Sequence, residues 1–268
     1  MTTEIFDYGM NGEGVAKVND IITLVPFALK DETVDVEILK NNGNYCDAKL
    51  VKIINNSPSR QNPPCPHFEL CGGCDIQHMN YDEQLKFKTL LVKKTIKKIT
   101  GIDVTVENTI PCNNIFAYRN KASFNYNNLN CGFFEQNSKN IVEINKCLLC
   151  NDNINTIYSL FNSFIKSNNI TTIKHLIVRE IENQILVGVV TKNEIDLSTF
   201  YTLLNTNFKN IGLYQIINNR KDSVVISGNI KHVAGLKEIQ IHNFGLTYYV
   251  DLVGFHQTNI DIQNKLYK

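Results

Sequence analysis

The stretch Thr33-Val34-Asp35-Val36-Glu37-Ile38-Leu39 alternates apolar and polar side chains, the period of a half-buried β-strand. Asn41-Asn42-Gly43-Asn44 follows with hairpin-turn chemistry, and Tyr45 to Ile54 supplies a returning strand. Upstream, Val15 to Val18 and Ile21 to Pro26 read as two more short strands after a turn-rich start marked by Gly9, Gly12 and Gly14. So many short strands in residues 1–55 predict a small closed OB-like β-barrel, because closure removes exposed sheet edges. The Pro-, Ser- and Asn-rich run Asn55 to Pro66 ends it.

Beyond that linker the pattern changes. Tyr81 to Thr100 reads as a helix stopped by Gly101, with Tyr81, Leu85, Val92, Ile96 and Ile99 on one face. Phe87, Leu90 and Leu91 form a second apolar patch, which predicts a helix held between two bodies. Further on, strand-like Ala122 to Tyr126, Gly132 to Phe134, Lys174 to Glu180, Gln184 to Thr191, Gly212 to Ile217 and Val224 to Ser227 mix with helical Asn155 to Ser167 and Leu197 to Leu204. Ile239 to Val250 reads as a strand pair around Asn243-Phe244-Gly245. The fold class is α+β and multidomain, with a mixed α/β central domain.

Composition limits the choice of function. The 268 residues carry a net charge of +1 and 43% apolar residues, enough for packed cores and too little charge bias to name a partner. Asn fills more than one position in eight and Lys far outnumbers Arg, which reads as the codon bias of an AT-rich genome. No run approaches the ~20 apolar residues of a membrane span, and no signal-like h-region opens the chain. The expected location is cytoplasmic, with no membrane partner and no inferable protein partner.

Eight cysteines in such a chain point to metal ligation before disulfides. Cys65, Cys71 and Cys74 form C-x5-C-x2-C with two intervening glycines, a loop able to turn three thiols onto one centre. A closed site takes four ligands, and Cys147 or Cys150 is the candidate fourth. An iron–sulfur cluster on Cys65, Cys71, Cys74 and Cys147 competes with a zinc site on Cys71, Cys74, Cys147 and Cys150, and with plain burial. Cys46, Cys112 and Cys131 stand alone and read as small apolar side chains.

These residues resemble a known family, the TRAM-containing (uracil-5)-methyltransferases of ribosomal RNA. Gly12-Glu13-Gly14-Val15-Ala16 with Val25-Pro26-Phe27-Ala28-Leu29 is similar to a TRAM module, and Cys65 to His78 to the family's cluster-binding loop. Tyr118-Arg119-Asn120-Lys121 and Gly132-Phe133-Phe134 through Cys147 are similar to its central domain. Phe255-His256-Gln257-Thr258-Asn259 resembles the opening motif of its catalytic domain, with His256 where an aromatic is usual.

The resemblance implies four parts: a TRAM barrel over 1–55, a linker and cluster loop over 56–80, a central domain over 81–240 and the start of a methyltransferase domain over 241–268. It implies a [4Fe–4S] cluster on Cys65, Cys71, Cys74 and Cys147, with Cys150 as runner-up. It also implies methyl transfer from S-adenosylmethionine, contacted by Gln257, to C5 of a uridine in large-subunit 23S ribosomal RNA. Arg60, His67, Tyr118, Arg119, Asn120 and Lys121 are the candidate RNA contacts, with Lys86, Lys93, Lys94, Lys97 and Lys98 on the helix as weaker ones. The family's Gly-rich cofactor motif, catalytic cysteine and general base find no match. A Rossmann-like domain barely begun and mostly missing is therefore expected, with no catalytic residue in the chain and no activity of the chain alone. The alternative is a non-catalytic RNA-binding iron–sulfur or zinc module from a truncated gene.

Overall fold

Alternation in the opening stretch becomes burial in the structure: Val34 and Val36 are covered while Glu37 is exposed. The computed structural model describes residues 1–268 and divides them into two units, Met1–Pro111 and Cys112–Lys268. In the first unit, six strands follow in order: β1 (Thr2–Glu4), β2 (Asp7–Tyr8), β3 (Gly14–Val18), β4 (Ile21–Val25), β5 (Thr33–Asn41) and β6 (Tyr45–Asn55). They pair as β1-β5-β6-β4-β3-β2. The two ends of that order, β1 and β2, are consecutive pieces of one N-terminal stretch, so the sheet closes on itself as expected. Ile5, Ala16, Val25, Ala28, Val34, Val36 and Ala48 fill its interior.

Helix α1 (Tyr81–Thr100) completes this unit. Asn80 caps it by accepting the Glu83 amide at 3.0 Å, and Gly101, at φ 75°, returns its amide to the Lys97 carbonyl. Phe87 and Leu91 pack with Tyr8, Leu29, Met79 and Ile76. Thus two members of the second apolar patch face the barrel and the cysteine loop, and need no absent body to cover them. Val92 and Ile99, placed by period on the main stripe, are 49% and 78% exposed.

The second unit is built on a seven-stranded sheet. Its strands are β7 (Lys121–Asn127), β8 (Asn130–Phe134), β9 (Ile141–Glu143), β10 (Ile173–Ile181), β11 (Gln184–Thr191), β12 (Ile211–Ile217) and β13 (Asn229–Gly235), in the order β13-β12-β11-β10-β7-β8-β9. Only β11 and β12 run parallel, joined by a crossover through α3 (Ser198–Asn207). Helix α2 (Asp152–Ser167) turns Ile154, Ile157, Tyr158, Phe161 and Ile165 inward, the i, i+3, i+4, i+7 stripe of an amphipathic helix. With α3 it covers one sheet face, where Leu176, Val178, Val187 and Val189 lie.

The other face holds Ile177, Ile181, Leu186, Val190 and Ile216, packed with Ile239, Ile241, Val250 and Leu252 from the hairpin β14 (Ile239–Asn243) and β15 (Leu246–Val250). Burial on both faces explains why β10 and β11 are nearly continuous apolar runs. Gly188 permits the close approach: a Cβ there would lie 2.5 Å from Leu252 Cδ2. A last helix, α4 (Ile260–Leu266), follows.

Residues 241–268 therefore do not stand apart as the opening of another domain. They are part of the second unit, and Ile241, Val250 and Leu252 help to form its core. Val224 to Ser227 is not a strand; β13 starts two residues later. No helix is long and apolar enough to cross a membrane.

Candidate functional site

In the second unit three short segments, distant in sequence, are tied at the entrance to β7. Residues 117–120 run beside the Cys147–Cys150 turn, with the Ala117 amide donating to Leu148 O at 2.9 Å and the Arg119 amide to Leu149 O at 2.8 Å. Arg119 bridges both Cys150 and Asn259. Asn120, 6% exposed, donates its backbone amide to Thr258 O at 3.2 Å and its side-chain amide to Gln257 O at 3.0 Å. Its own carbonyl accepts the Glu180 amide at 2.8 Å. Tyr118-Arg119-Asn120-Lys121 and the motif holding Gln257 are thus one structural junction.

Electrostatics at the junction are unusual. Arg179 is 1% exposed, donates to the Gly254 carbonyl through Nη2, and has Nε and Nη1 buried with no hydrogen-bond partner. Arg119 Nε, His256 Nε2, Glu180 Oε2 and Gln263 Oε1 are also buried without partners. Such groups are costly in a folded protein and mark places where a polar ligand or water completes the bonding. Lys121, beside Arg179 across the strands, is pulled down to about 8 by burial and by the Arg179 charge. His256 fills the aromatic position by stacking on Tyr248 at 6.3 Å, its Nδ1 3.0 Å from Gln257 O. Strand period places Arg179 on one face with His175, while Glu180 has no motif to announce it; their cross-strand register with residues 120 and 121 brings both to the junction.

The cysteines divide between the units. Cys65, Cys71 and Cys74 occupy a turn-rich loop of the first, all half-buried, with the Cys71 amide donating to His67 O at 2.9 Å. Cys147 belongs to the second. Asn155 clamps its turn, accepting the Cys147 amide at 2.8 Å and donating to the Cys147 and Cys150 carbonyls at 3.0 and 3.2 Å. A hydrogen bond from the Cys150 side chain, the amides of Cys150 and Leu149 and the Arg119 charge bring Cys147 down to about 6. Burial pushes Cys131 the other way, up to about 12. Half-buried thiols outside any disulfide suit ligation chemically. Yet within neither unit are three or more Cys, His, Asp or Glu side chains placed to hold a metal ion.

The other sequence-predicted contacts are placed less favourably for a nucleic acid. Arg60 is largely buried and forks onto fully covered Glu32, with Nη2 to Oε2 at 2.8 Å and a further bond to the Phe27 carbonyl. Glu32 also accepts the Leu29 and Ser57 amides at 2.8 and 3.3 Å, so this pair fastens the linker to the barrel. His67 and Tyr118 are half-buried. On α1, Lys94 pairs with Asp7, Lys97 and Lys93 with Asp103 at 2.7 and 3.5 Å, and Lys86 with Glu83 at 3.8 Å.

Comparison with known proteins adds to this geometry. The TRAM domain family matches residues 4–51. An RNA methyltransferase of Clostridium tetani is 30% identical over 270 residues, covering 94% of this chain and 58% of that protein. One from Clostridium acetobutylicum is 30% identical over 284 residues, covering 98% and 62%. The crystal structure of Pyrococcus abyssi tRNA (uracil-54, C5)-methyltransferase in complex with S-adenosyl-L-homocysteine superposes with a TM-score of 0.74 at 25% identity, covering 99% of this chain and 63% of that one. The chain spans about three-fifths of the length of the curated relatives it matches in full. Since the Pyrococcus structure superposes on 99% of the residues, and residues 241–268 belong to the second unit, the expected fold with a barely begun domain at its end is corrected. The expectation of an inactive chain, which rests on the unmatched Gly-rich motif, catalytic cysteine and general base, finds no support in these matches. By these matches the chain carries a TRAM domain and is similar, over almost its whole length, to RNA methyltransferases.

Proposed function

We propose that the chain acts in the methylation of RNA at C5 of uridine, with S-adenosylmethionine as methyl donor. The carrying observation is the junction in which Asn120 fixes the Gln257 segment, since it joins the two motifs that the family resemblance assigns to RNA and to cofactor. When bound, S-adenosylmethionine supplies the methyl group that replaces the C5 proton. The buried polar atoms of His256, Gln263 and Arg119 around that segment fit a polar ligand, and Gln257 is the residue proposed to contact it. Asn120 orients Gln257 by holding its carbonyl, and Lys121 and Arg119 offer positive charge to a phosphodiester.

Large-subunit ribosomal RNA is the proposed substrate, on the likeness of the Cys65–His78 loop. A transfer RNA is the competitor, because that is the substrate named for the Pyrococcus protein. Radiolabelled S-adenosylmethionine offered with 23S fragments and with tRNA transcripts tests both points. Label in ribosomal RNA supports the reading, label in tRNA alone moves the substrate, and failure to bind S-adenosylhomocysteine by calorimetry overturns the cofactor assignment.

A [4Fe–4S] cluster on Cys65, Cys71, Cys74 and Cys147 is proposed from the spacing of the cysteines in the sequence alone, the cluster itself having to draw the thiols together, and no step is routed through it. Iron and acid-labile sulfide in anaerobically purified protein support it; stoichiometric zinc without sulfide overturns it.

A further inference from the structure

Away from the Asn120 junction, where the β7–β8 turn meets the start of β10, lies a cleft of about 240 Å3. Asn125, Asn127, Phe134, Lys174, His175 and Lys192 line it, and no carboxylate does. Three of its features are built by the sheet. Asn125 and His175 are direct cross-strand partners on β7 and β10. Phe133 packs into the core beneath the helices, so strand alternation sends Phe134 to the opposite side, where it is 40% exposed. Lys174 is steered by two backbone carbonyls, those of Asn218 at 3.2 Å and Arg220 at 2.7 Å.

The polar pair has a defined sense. His175 Nδ1 lies 3.1 Å from Asn125 Oδ1, which can only accept, so Nδ1 carries the proton and Nε2 is the ring's acceptor. Burial, reinforced by the Lys174 charge, lowers the ring to about 4, so it stays neutral near neutrality. Asn125 then presents amide donors beside an imidazole acceptor, the complement of a nucleobase edge, where donor and acceptor also sit side by side. The exposed Phe134 ring offers a stacking surface, the means by which sheets capture unpaired RNA bases.

We propose that this cleft is a subsite for one unpaired nucleotide of the RNA, its base read by His175 and Asn125 and stacked on Phe134, its phosphate held by Lys192 with Lys174. The proposal rests on the reading of RNA as substrate, and the test separates the two. Anisotropy of a fluorescein-labelled single-stranded oligouridylate is measured with wild type, Phe134→Ala, His175→Leu and Lys192→Gln, each checked for an unchanged melting temperature. Phe134→Ala weakens binding about tenfold, the loss of one stacked base. Lys192→Gln weakens it and lowers the slope of log affinity against log salt by about one. RNA carrying 4-thiouridine crosslinks to a peptide containing Phe134 or His175. Binding by wild type with all three variants unchanged overturns the subsite alone. Wild type that binds no RNA at low salt overturns the RNA reading and the subsite together.

Discussion

The side-chain amide of Asn120 donates to the backbone carbonyl of Gln257, 137 residues later, at 3.0 Å. Because Asn120 is buried and its own backbone is engaged on both sides, this bond sets where Gln257 stands relative to β7. Asn120→Ala should cost about 1 kcal/mol and loosen Gln257–Asn259. Amide hydrogen exchange should quicken there and not in β10, and calorimetry should show S-adenosylhomocysteine binding weakened severalfold. Unchanged exchange at these residues would remove the junction from the account.

Arg60 and Glu32 form the buried ion pair of the first unit. Arg60→Met leaves a covered carboxylate with only amide donors, and should destabilise the unit by roughly 3 kcal/mol. Double substitution with Glu32→Gln should recover part of that loss. Denaturant midpoints read both. If Arg60→Met weakened RNA binding with an unchanged midpoint, the residue would be a ligand contact after all.

His78 is 1% exposed, with neither ring nitrogen hydrogen-bonded, and rests against Phe27 and Phe68. Burial first, then the Arg60 charge, lowers its pKa from 6.5 to about 4. Above pH 6.5 the ring is neutral folded and unfolded, and stability is complete. Between 6.5 and 4 the unfolded chain takes a proton that the folded one refuses, so stability falls as pH drops, by roughly 3 kcal/mol in all. His78→Leu should flatten this part of the pH–stability curve; an identical curve would place the acid sensitivity elsewhere.

Gly12 sits at φ +87°, and a Cβ there would lie 2.4 Å from Ile76 Cγ2. Gly12→Ala meets both backbone strain and a clash between the barrel and the cysteine loop, so a loss of about 1–3 kcal/mol is expected from the strain alone. Gly43→Ala, also at positive φ but in open space, should cost less. Thermal melts of the two variants give the comparison.

Where local pattern governed the structure, it was readable. Thr33 to Leu39 alternates because one face is buried, and Ile154 to Ile165 shows its stripe because α2 lies on a sheet. Val224-Val225-Ile226 misleads for a specific reason: Asn218 Nδ2 captures the Val224 and Val225 carbonyls at 2.8 and 2.9 Å, so the backbone is bound outside any ladder, while Val225 and Ile226 still pack on the second core. Strand β13 hides because most of its residues are exposed on both sides. At the site, the sequence marks Asn120 and Gln257 separately, and their contact spans 137 residues. Arg60 reads as an RNA contact in the sequence because Glu32, its partner, lies 28 residues upstream in a segment without any motif.

The barrel owes its closure to its first eight residues: the Thr2–Glu4 segment lies along β5 and the Asp7–Tyr8 segment along β3, with the Met1 ammonium donating to Val36 O at 2.8 Å. A single short strap therefore seals both rims of the sheet. Stripped from the chain, it would leave two unpaired ladders facing one slot, and the strap of a second molecule is the piece that fits. Reciprocal exchange of N-terminal segments is thus the assembly error this architecture invites, and the amino end is the wrong place to tether a tag or a surface.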